Sequence, residues 1–117
     1  NDNIMKIINI AIYFNCFLFF RAYTIEIISI NKNGKEFIWE GDEKFWTGHS
    51  PVLFPICGGL KDDKFYYGVA EIYEGEQLIT DYVNGMLIPI GDTLELIKRL
   101  EEIVDTPQLA KKFYYTF

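Results

Sequence analysis

The sequence predicts an α+β fold, in which an antiparallel β-hairpin or sheet is followed by a short strand and one or two C-terminal helices. Three observations lead to this expectation. Hydrophobic residues make up 50% of the 117 residues and aromatic residues 17%, which favours strands with buried faces. Two runs rich in β-branched and aromatic residues flank an Asn-Gly turn signal. An amphipathic helical pattern with an N-cap residue lies near the C-terminus.

The hairpin is the best-supported element of the first half. Residues 23–30 are dominated by β-branched side chains, and residues 35–40, which include Phe37, Ile38 and Trp39, supply a second strand beyond Asn33-Gly34. Residues 52–56 are also apolar, but Pro51 and Pro55 remove backbone donors. We therefore expect residues 52–56 at a sheet edge, or extended without regular pairing.

The second half begins with further strand and turn signals. Residues 65–67 have the composition of the start of another strand, and residues 71–81 are acidic with no clear period. Asn84-Gly85 predicts a turn, and the apolar residues 86–90 predict a short strand after it. We interpret three carboxylates as an acidic surface: Glu71, Glu74 and Glu76.

The clearest helix begins after Asp92. That residue is suited to cap the free N–H groups, and Glu95 completes a capping box. Glu95 and Arg99 have the spacing of a favourable ion pair on the exposed side. Thr106-Pro107 should end this helix, and residues 108–114 predict a second, short helix. The apolar stripe of the first helix comprises Leu96, Ile97, Leu100, Ile103 and Val104.

The N-terminal segment, residues 1–22, contains a strongly apolar run at 4–20. With Lys6 near its start it has features of a signal peptide, but Asn9 and Asn15 interrupt it and no small-x-small cleavage pattern follows. It is also short for a membrane span. We expect a strand or helix packed on the core and a cytoplasmic protein; the alternative is a targeting segment of a secreted or membrane-associated one. Because the first residue is not Met, the sequence suggests either a start at Met5 or a fragment.

Charge and cysteine content exclude several function classes. The net charge is -6, with 11 basic and 17 acidic residues, so a nucleic-acid partner is not expected. Cys16 and Cys57 lie in apolar surroundings without metal-ligand spacing, and one His is too few for a His-based zinc site. Sparse cysteine usage fits a reducing compartment. We predict no cofactor and no metal.

Four sequence blocks, in order and in register, carry a resemblance to a known family. They are N-G-K-E-F-I-W at 33–39, G-D-E-K-F-W at 41–46, P-V-L-F-P-I-C-G at 51–58 and L-K-D-D-K-F-Y at 60–66. Residues 23–68, about two-fifths of the chain, resemble the N-terminal part of the aldose 1-epimerase (galactose mutarotase-like) family. The resemblance implies a fragment of an antiparallel β-sandwich. It also implies an isomerase that interconverts the anomers of an aldose with a His acid and a Glu base.

The departures from that family predict loss of its chemistry. Gly59 occupies the position of the family's sugar-contacting arginine, and a glycine cannot replace a guanidinium fork. Nothing after Gly68 matches the family's catalytic His motif, and its general base would lie beyond residue 117. We therefore predict no catalytic residue, but weak binding of an aldose. The candidate substrate-binding residues are Trp46 and His49; the alternative is a core Trp beside a solvated His.

A second resemblance covers residues 76–112. The run E-Q-L-I-T-D-Y-V-N-G-M-L-I-P-I-G-D and the helix after it resemble the C-terminal end of a retaining, two-Rossmann-domain glycosyltransferase. The resemblance implies scaffold rather than chemistry, because no match to that family's donor-binding glutamate motif is present. We thus divide the chain into 1–22, 23–68 and 69–117, expected as one compact unit. The alternative functions are an interaction module that self-associates through exposed aromatic strand edges, or a glycosyltransferase remnant.

Overall fold

The computed structural model describes residues 2–15, 22–31, 37–39, 48–49, 51–61 and 64–116. It confirms the α+β class, with an antiparallel sheet and C-terminal helices. The strands are β1 (Ala22–Asn31), β2 (Phe37–Trp39), β3 (Pro51–Lys61), β4 (Lys64–Ile72) and β5 (Met86–Leu87). The helices are α1 (Asp2–Phe14), α2 (Gly75–Leu78), α3 (Thr93–Asp105) and α4 (Pro107–Thr116).

The described strands form one antiparallel sheet in the order β2-β1-β4-β3-β5. β1 pairs with β2 from Ile28 opposite Trp39 to Ile30 opposite Phe37, which confirms the predicted hairpin strands. The Asn33-Gly34 turn between them lies outside the described residues. The other edge of β1 pairs with β4 along almost its whole length, so β4 is the central strand.

The prediction that residues 52–56 lie at a sheet edge or without regular pairing is wrong in part. β3 pairs with β4 on one side, and Val52 and Leu53 also pair with β5 on the other. The two prolines are tolerated for separate reasons. Pro51 contributes only its carbonyl, which accepts from the Ile88 N–H at 3.1 Å. Alternate residues of a strand direct their backbone N–H groups to the same side, so an N–H at position 55 would also point towards β5. Because β5 pairs only with Val52 and Leu53, Pro55 costs the sheet no hydrogen bond to β5.

The sheet separates two apolar clusters, because successive strand residues point to opposite faces. On one face, strand residues such as Ile28, Leu53 and Val69 pack against Leu100 of α3 and Phe113 of α4. This cluster joins residues from before and after Val69, and β4 runs through that position without interruption. The remaining buried members are Ile30, Tyr67, Met86, Ile88, Leu96, Ile103 and Ala110.

The N-terminal segment forms a helix on the opposite face. Ile10 of α1 is buried in the second cluster with Ile25, Phe54 and other strand residues. Met5, Ile8 and Ile12 on the same helix are exposed. Among the described residues, no helix is long and apolar enough to cross a membrane.

Both predicted C-terminal helices are present. Asp92 caps α3 through a hydrogen bond of 2.9 Å from the Glu95 N–H to its Oδ1, as the capping pattern predicts. Glu95 and Arg99 form the expected i,i+4 pair, with Nε donating to Oε1 at 2.8 Å. The pair is not on the exposed side: only 19% of the Arg99 side chain and 25% of the Glu95 side chain are accessible. The reason is that Arg99 also lies over the Tyr82 ring.

Candidate functional site

The structure places only one of the two predicted sugar-contacting residues. Trp46 lies outside the described residues, as do the side chains of Cys16 and Cys57. His49 is exposed and lies two positions before β3 begins. It follows Gly48, whose φ of 99° is a conformation that side chains rarely adopt. The glycine therefore allows the sharp change in chain direction that brings His49 to the sheet.

The imidazole ring of His49 stacks on the ring of Tyr23. Their centroids are 3.7 Å apart and the ring planes differ by 10°. Tyr23 is the second residue of β1, so a residue of the sheet supports a residue of the segment before β3. The pair forms a flat ring surface in which the imidazole of His49 is exposed to solvent.

The backbone of His49 is bound to a buried carboxylate. Its N–H donates to Oε2 of Glu71 at 2.8 Å, and Oγ1 of Thr24 donates to Oε1 of the same carboxylate at 2.9 Å. Glu71 has no accessible surface. Burying a carboxylate is costly unless it is hydrogen-bonded, and here each oxygen accepts a bond. The carboxylate of Glu71, a residue of β4, thus links β1 to the segment before β3.

The interpretation of Glu71 as part of an acidic surface is wrong. Sheet pairing explains its burial, because Thr24 of β1 and Pro51 of β3 lie opposite Glu71 on either side of β4. A signal in the sequence could have found it. Strand β4 continues from the predicted residues 65–67 through Ile72, and alternation then places Glu71 on the same face as Tyr67 and Val69.

Among the described residues, this site combines an exposed imidazole ring with an enclosed carboxylate. Glu71 meets the backbone N–H of His49 rather than its ring, so the two do not form a carboxylate–imidazole pair. The stacked ring surface is open to a ligand, whereas the carboxylate is enclosed. A planar aromatic surface beside fixed polar groups is a common way to hold a small polar molecule.

A second polar cluster links α3 to the turn before β5. Arg99 pairs with Glu95, lies 3.6 Å from Oδ1 of Asp81 and has its guanidinium carbon 5.1 Å from the centre of the Tyr82 ring. The Tyr82 hydroxyl donates to Glu102 at 2.8 Å. The backbone of Tyr82 has a φ of 61°, in the left-handed region that non-glycine residues rarely adopt. In the turn that Asn84-Gly85 predicts, the residue with the strained backbone is therefore Tyr82. The cluster joins a turn to a helix through bonds within the protein, and we interpret it as structural.

Within the part of the chain that the structure describes, no group of three or more His, Cys, Asp or Glu side chains is placed to hold a metal ion. The absence of metal and cofactor remains a prediction from the sequence.

Comparison with known proteins finds a short similarity. The chain is 46% identical over 37 residues to two proteins of Lactococcus lactis subsp. lactis, Protein LacX, plasmid, and Protein LacX, chromosomal. The alignment covers 32% of this chain but only 12% of either relative. No family model and no solved structure matches the chain.

Proposed function

We propose that this chain is a carbohydrate-binding relative of the aldose 1-epimerases that lacks mutarotase chemistry. The observation that carries the proposal is the exposed His49 ring stacked on Tyr23 and anchored through its backbone to Glu71. The four blocks that resemble the epimerase family supply the substrate class, an aldose. The short similarity to the LacX proteins is compatible with this assignment but adds nothing on substrate.

Binding without catalysis follows from the groups at the site. Mutarotation needs one group to protonate the ring oxygen and another to take the proton of the anomeric hydroxyl, both within hydrogen-bond reach of the sugar. His49 is the sole histidine of the sequence. Glu71, the carboxylate nearest to it in the hydrogen-bond network, is enclosed and holds a backbone N–H. Among the described residues, the carboxylate bonded to His49 is therefore not available as a base to a sugar on the stacked rings.

The test is an NMR titration of the chain with glucose and galactose, with anomer exchange followed in the same tube. We expect saturable shifts of the His49 and Tyr23 signals, with dissociation constants of about 1 mM or weaker. Anomer exchange should proceed at the rate of the buffer control. The variant His49→Ala should abolish the shifts. Tyr115→Ala, which alters an aromatic residue 88% exposed on α4, should leave them unchanged.

Two results would contradict the proposal in different ways. If neither sugar moves the His49 or Tyr23 signals, the binding function is wrong. If both sugars bind and anomer exchange is accelerated by the chain but not by His49→Ala, the loss of chemistry is wrong. A nucleotide sugar in a parallel titration should produce no shift, because residues 76–112 contribute scaffold.

A specific observation favours a second candidate, self-association through a sheet edge. Among the described strands, β2 lies at one edge of the sheet, and Ile38 on it is 53% exposed. An exposed edge with an apolar side chain is a template for pairing with another strand. Light scattering should then show a mass that rises with concentration and falls back to the monomer in Ile38→Lys. A constant monomer mass would rule this candidate out.

We also infer a cytoplasmic location, from the sparse cysteine usage alone. A secreted or membrane-associated location is the alternative if residues 4–20 are a targeting segment. Cell fractionation of the full chain distinguishes them by the compartment in which it is recovered.

A further inference from the structure

We propose that Glu71 is a positioning residue that sets the orientation of the His49 ring against Tyr23. For its effect on sugar affinity, this inference rests on the proposed function. For its effect on the stacked pair it stands on geometry alone. Glu71 itself is enclosed and would not touch a ligand on the ring surface.

The Glu71 carboxylate accepts hydrogen bonds from both sides of the stacked pair. Oε1 accepts from Thr24, the residue that follows Tyr23 in β1, and Oε2 accepts from the backbone of His49. One rigid group thus holds the immediate neighbour of one stacked ring and the backbone of the other. Charge-assisted bonds to a carboxylate are about twice as strong as neutral ones, so this link constrains the distance between the rings.

Local structure does not fix the position of His49. The residue belongs to no helix or strand, and the glycine before it allows many backbone conformations. Its position therefore depends on contacts with residues far along the chain. Glu71 is 22 residues further along the chain than His49, and it belongs to β4, the central strand of the sheet. A central strand is among the most rigid supports that a fold offers.

A glutamate suits position 71 because its side chain carries two acceptor oxygens. The carboxylate reaches donors on two segments, the His49 N–H before β3 and the Thr24 hydroxyl on β1. Two acceptor oxygens serve two donors at once. A glutamine would retain one acceptor for the His49 N–H and could donate its amide to the Thr24 hydroxyl, which also accepts. A leucine of similar size would serve neither.

The test compares Glu71→Gln, Glu71→Leu and Thr24→Val with the unmodified chain by NMR. Two signals report the geometry directly: the His49 amide proton, which is shifted by its bond to the carboxylate, and the His49 ring protons, which are shifted by the Tyr23 ring current. In Glu71→Leu we expect both to move to the values of an unstructured histidine, with sugar affinity lowered on the order of tenfold. Glu71→Gln should restore the ring-proton shifts. Thr24→Val should displace the His49 amide signal by an intermediate amount.

The outcomes separate this inference from the proposed function. Unchanged His49 signals in Glu71→Leu overturn the positioning role, whether or not sugar binds. If Glu71→Leu does not fold, unchanged His49 signals in Thr24→Val overturn it instead. Displaced His49 signals in a chain that never binds sugar support the positioning role and reject the binding function. Spectra of Leu100, far along the sequence in α3, serve as the folding control for each variant.

Discussion

The backbone N–H of His49 lies 2.8 Å from Oε2 of Glu71, although the two residues are separated by 22 positions in the chain. The bond connects a segment without regular structure to the central strand of the sheet. It leaves the imidazole free to stack on Tyr23. The carboxylate is buried and the ring is exposed, which is why we propose a supporting role for Glu71 and ligand contact for His49.

Gly68 and Gly85, two buried glycines among the described residues, should differ in their tolerance of alanine. A Cβ on Gly85 would lie 2.5 Å from the backbone oxygen of Leu53, whereas one on Gly68 would lie 2.6 Å from Cδ1 of Ile56. A side-chain end can rotate away, but a paired strand backbone cannot. We expect Gly68→Ala to cost about 1–3 kcal/mol of unfolding free energy and Gly85→Ala to cost more. Urea unfolding measures both, and the reverse order would contradict this account.

Loss of the α3 cap should destabilise the protein measurably. Asp92 accepts the Glu95 N–H at 2.9 Å, and without it that donor has no intrahelical partner. Asp92→Ala should lower the unfolding free energy by about 1 kcal/mol. Asp92→Asn keeps an acceptor oxygen and serves as the control, with most of the stability retained. Equal losses in both variants would show that charge, rather than the hydrogen bond, is what matters.

The two halves of the chain should unfold together, because residues from both pack in one cluster. Leu100 of α3 is fully buried in it, and Leu100→Ala should cost about 2–5 kcal/mol. Leu94 on the same helix is 80% exposed, so Leu94→Ala should change stability by less than about 0.5 kcal/mol. Both tryptophans, Trp39 and Trp46, lie in the first half of the sequence.

Two probes therefore follow the same equilibrium from different regions. Tryptophan fluorescence reports on the first half, and far-ultraviolet circular dichroism is dominated by the helices, which include α3 and α4. We expect coincident transitions that shift together in Leu100→Ala. Two separate transitions would mean that the regions on either side of Val69 fold independently.

Alkaline conditions should weaken the fold through a buried phenol. Burial raises the pKa of Tyr67 from 10.0 to about 12, and burial also raises the pKa of Tyr114, whose ring centroid lies 5.8 Å away. The unfolded chain loses the Tyr67 proton near pH 10, whereas the folded chain keeps it until about 12. This stabilising contribution is complete below pH 10 and is lost as the pH rises through 12, at up to about 1.4 kcal/mol per pH unit.

Urea unfolding across this alkaline range tests the linkage. Tyr67→Phe removes one ionising group, so its stability should fall less steeply with pH than that of the unmodified chain. Tyr115→Phe, at an exposed position, should leave the slope unchanged. A slope that is the same in all three proteins would exclude Tyr67 as the source of alkaline unfolding.

Local sequence determined the elements whose signals are short in range. The hairpin strands followed from the β-branched run before Asn-Gly and the aromatic-rich run after it. Helix α3 followed from Asp92 and an apolar stripe whose Leu96, Leu100 and Ile103 are buried. These features depend on backbone preferences and on side chains a few positions apart. The α+β class could be predicted for the same reason.

The tertiary structure alone decided the order of the strands and the surroundings of the site. Three features depend on pairing between residues far apart in the chain. They are the placement of β3 between β4 and β5, the burial of Glu71, and the stacking of His49 on Tyr23. Alternation along β4 indicates the face of Glu71, but the donors that offset the cost of burying its carboxylate come from Thr24 and His49, far away in the sequence. The sequence by itself therefore determined which segments become helix or strand, and the packing of the sheet determined which polar groups they enclose.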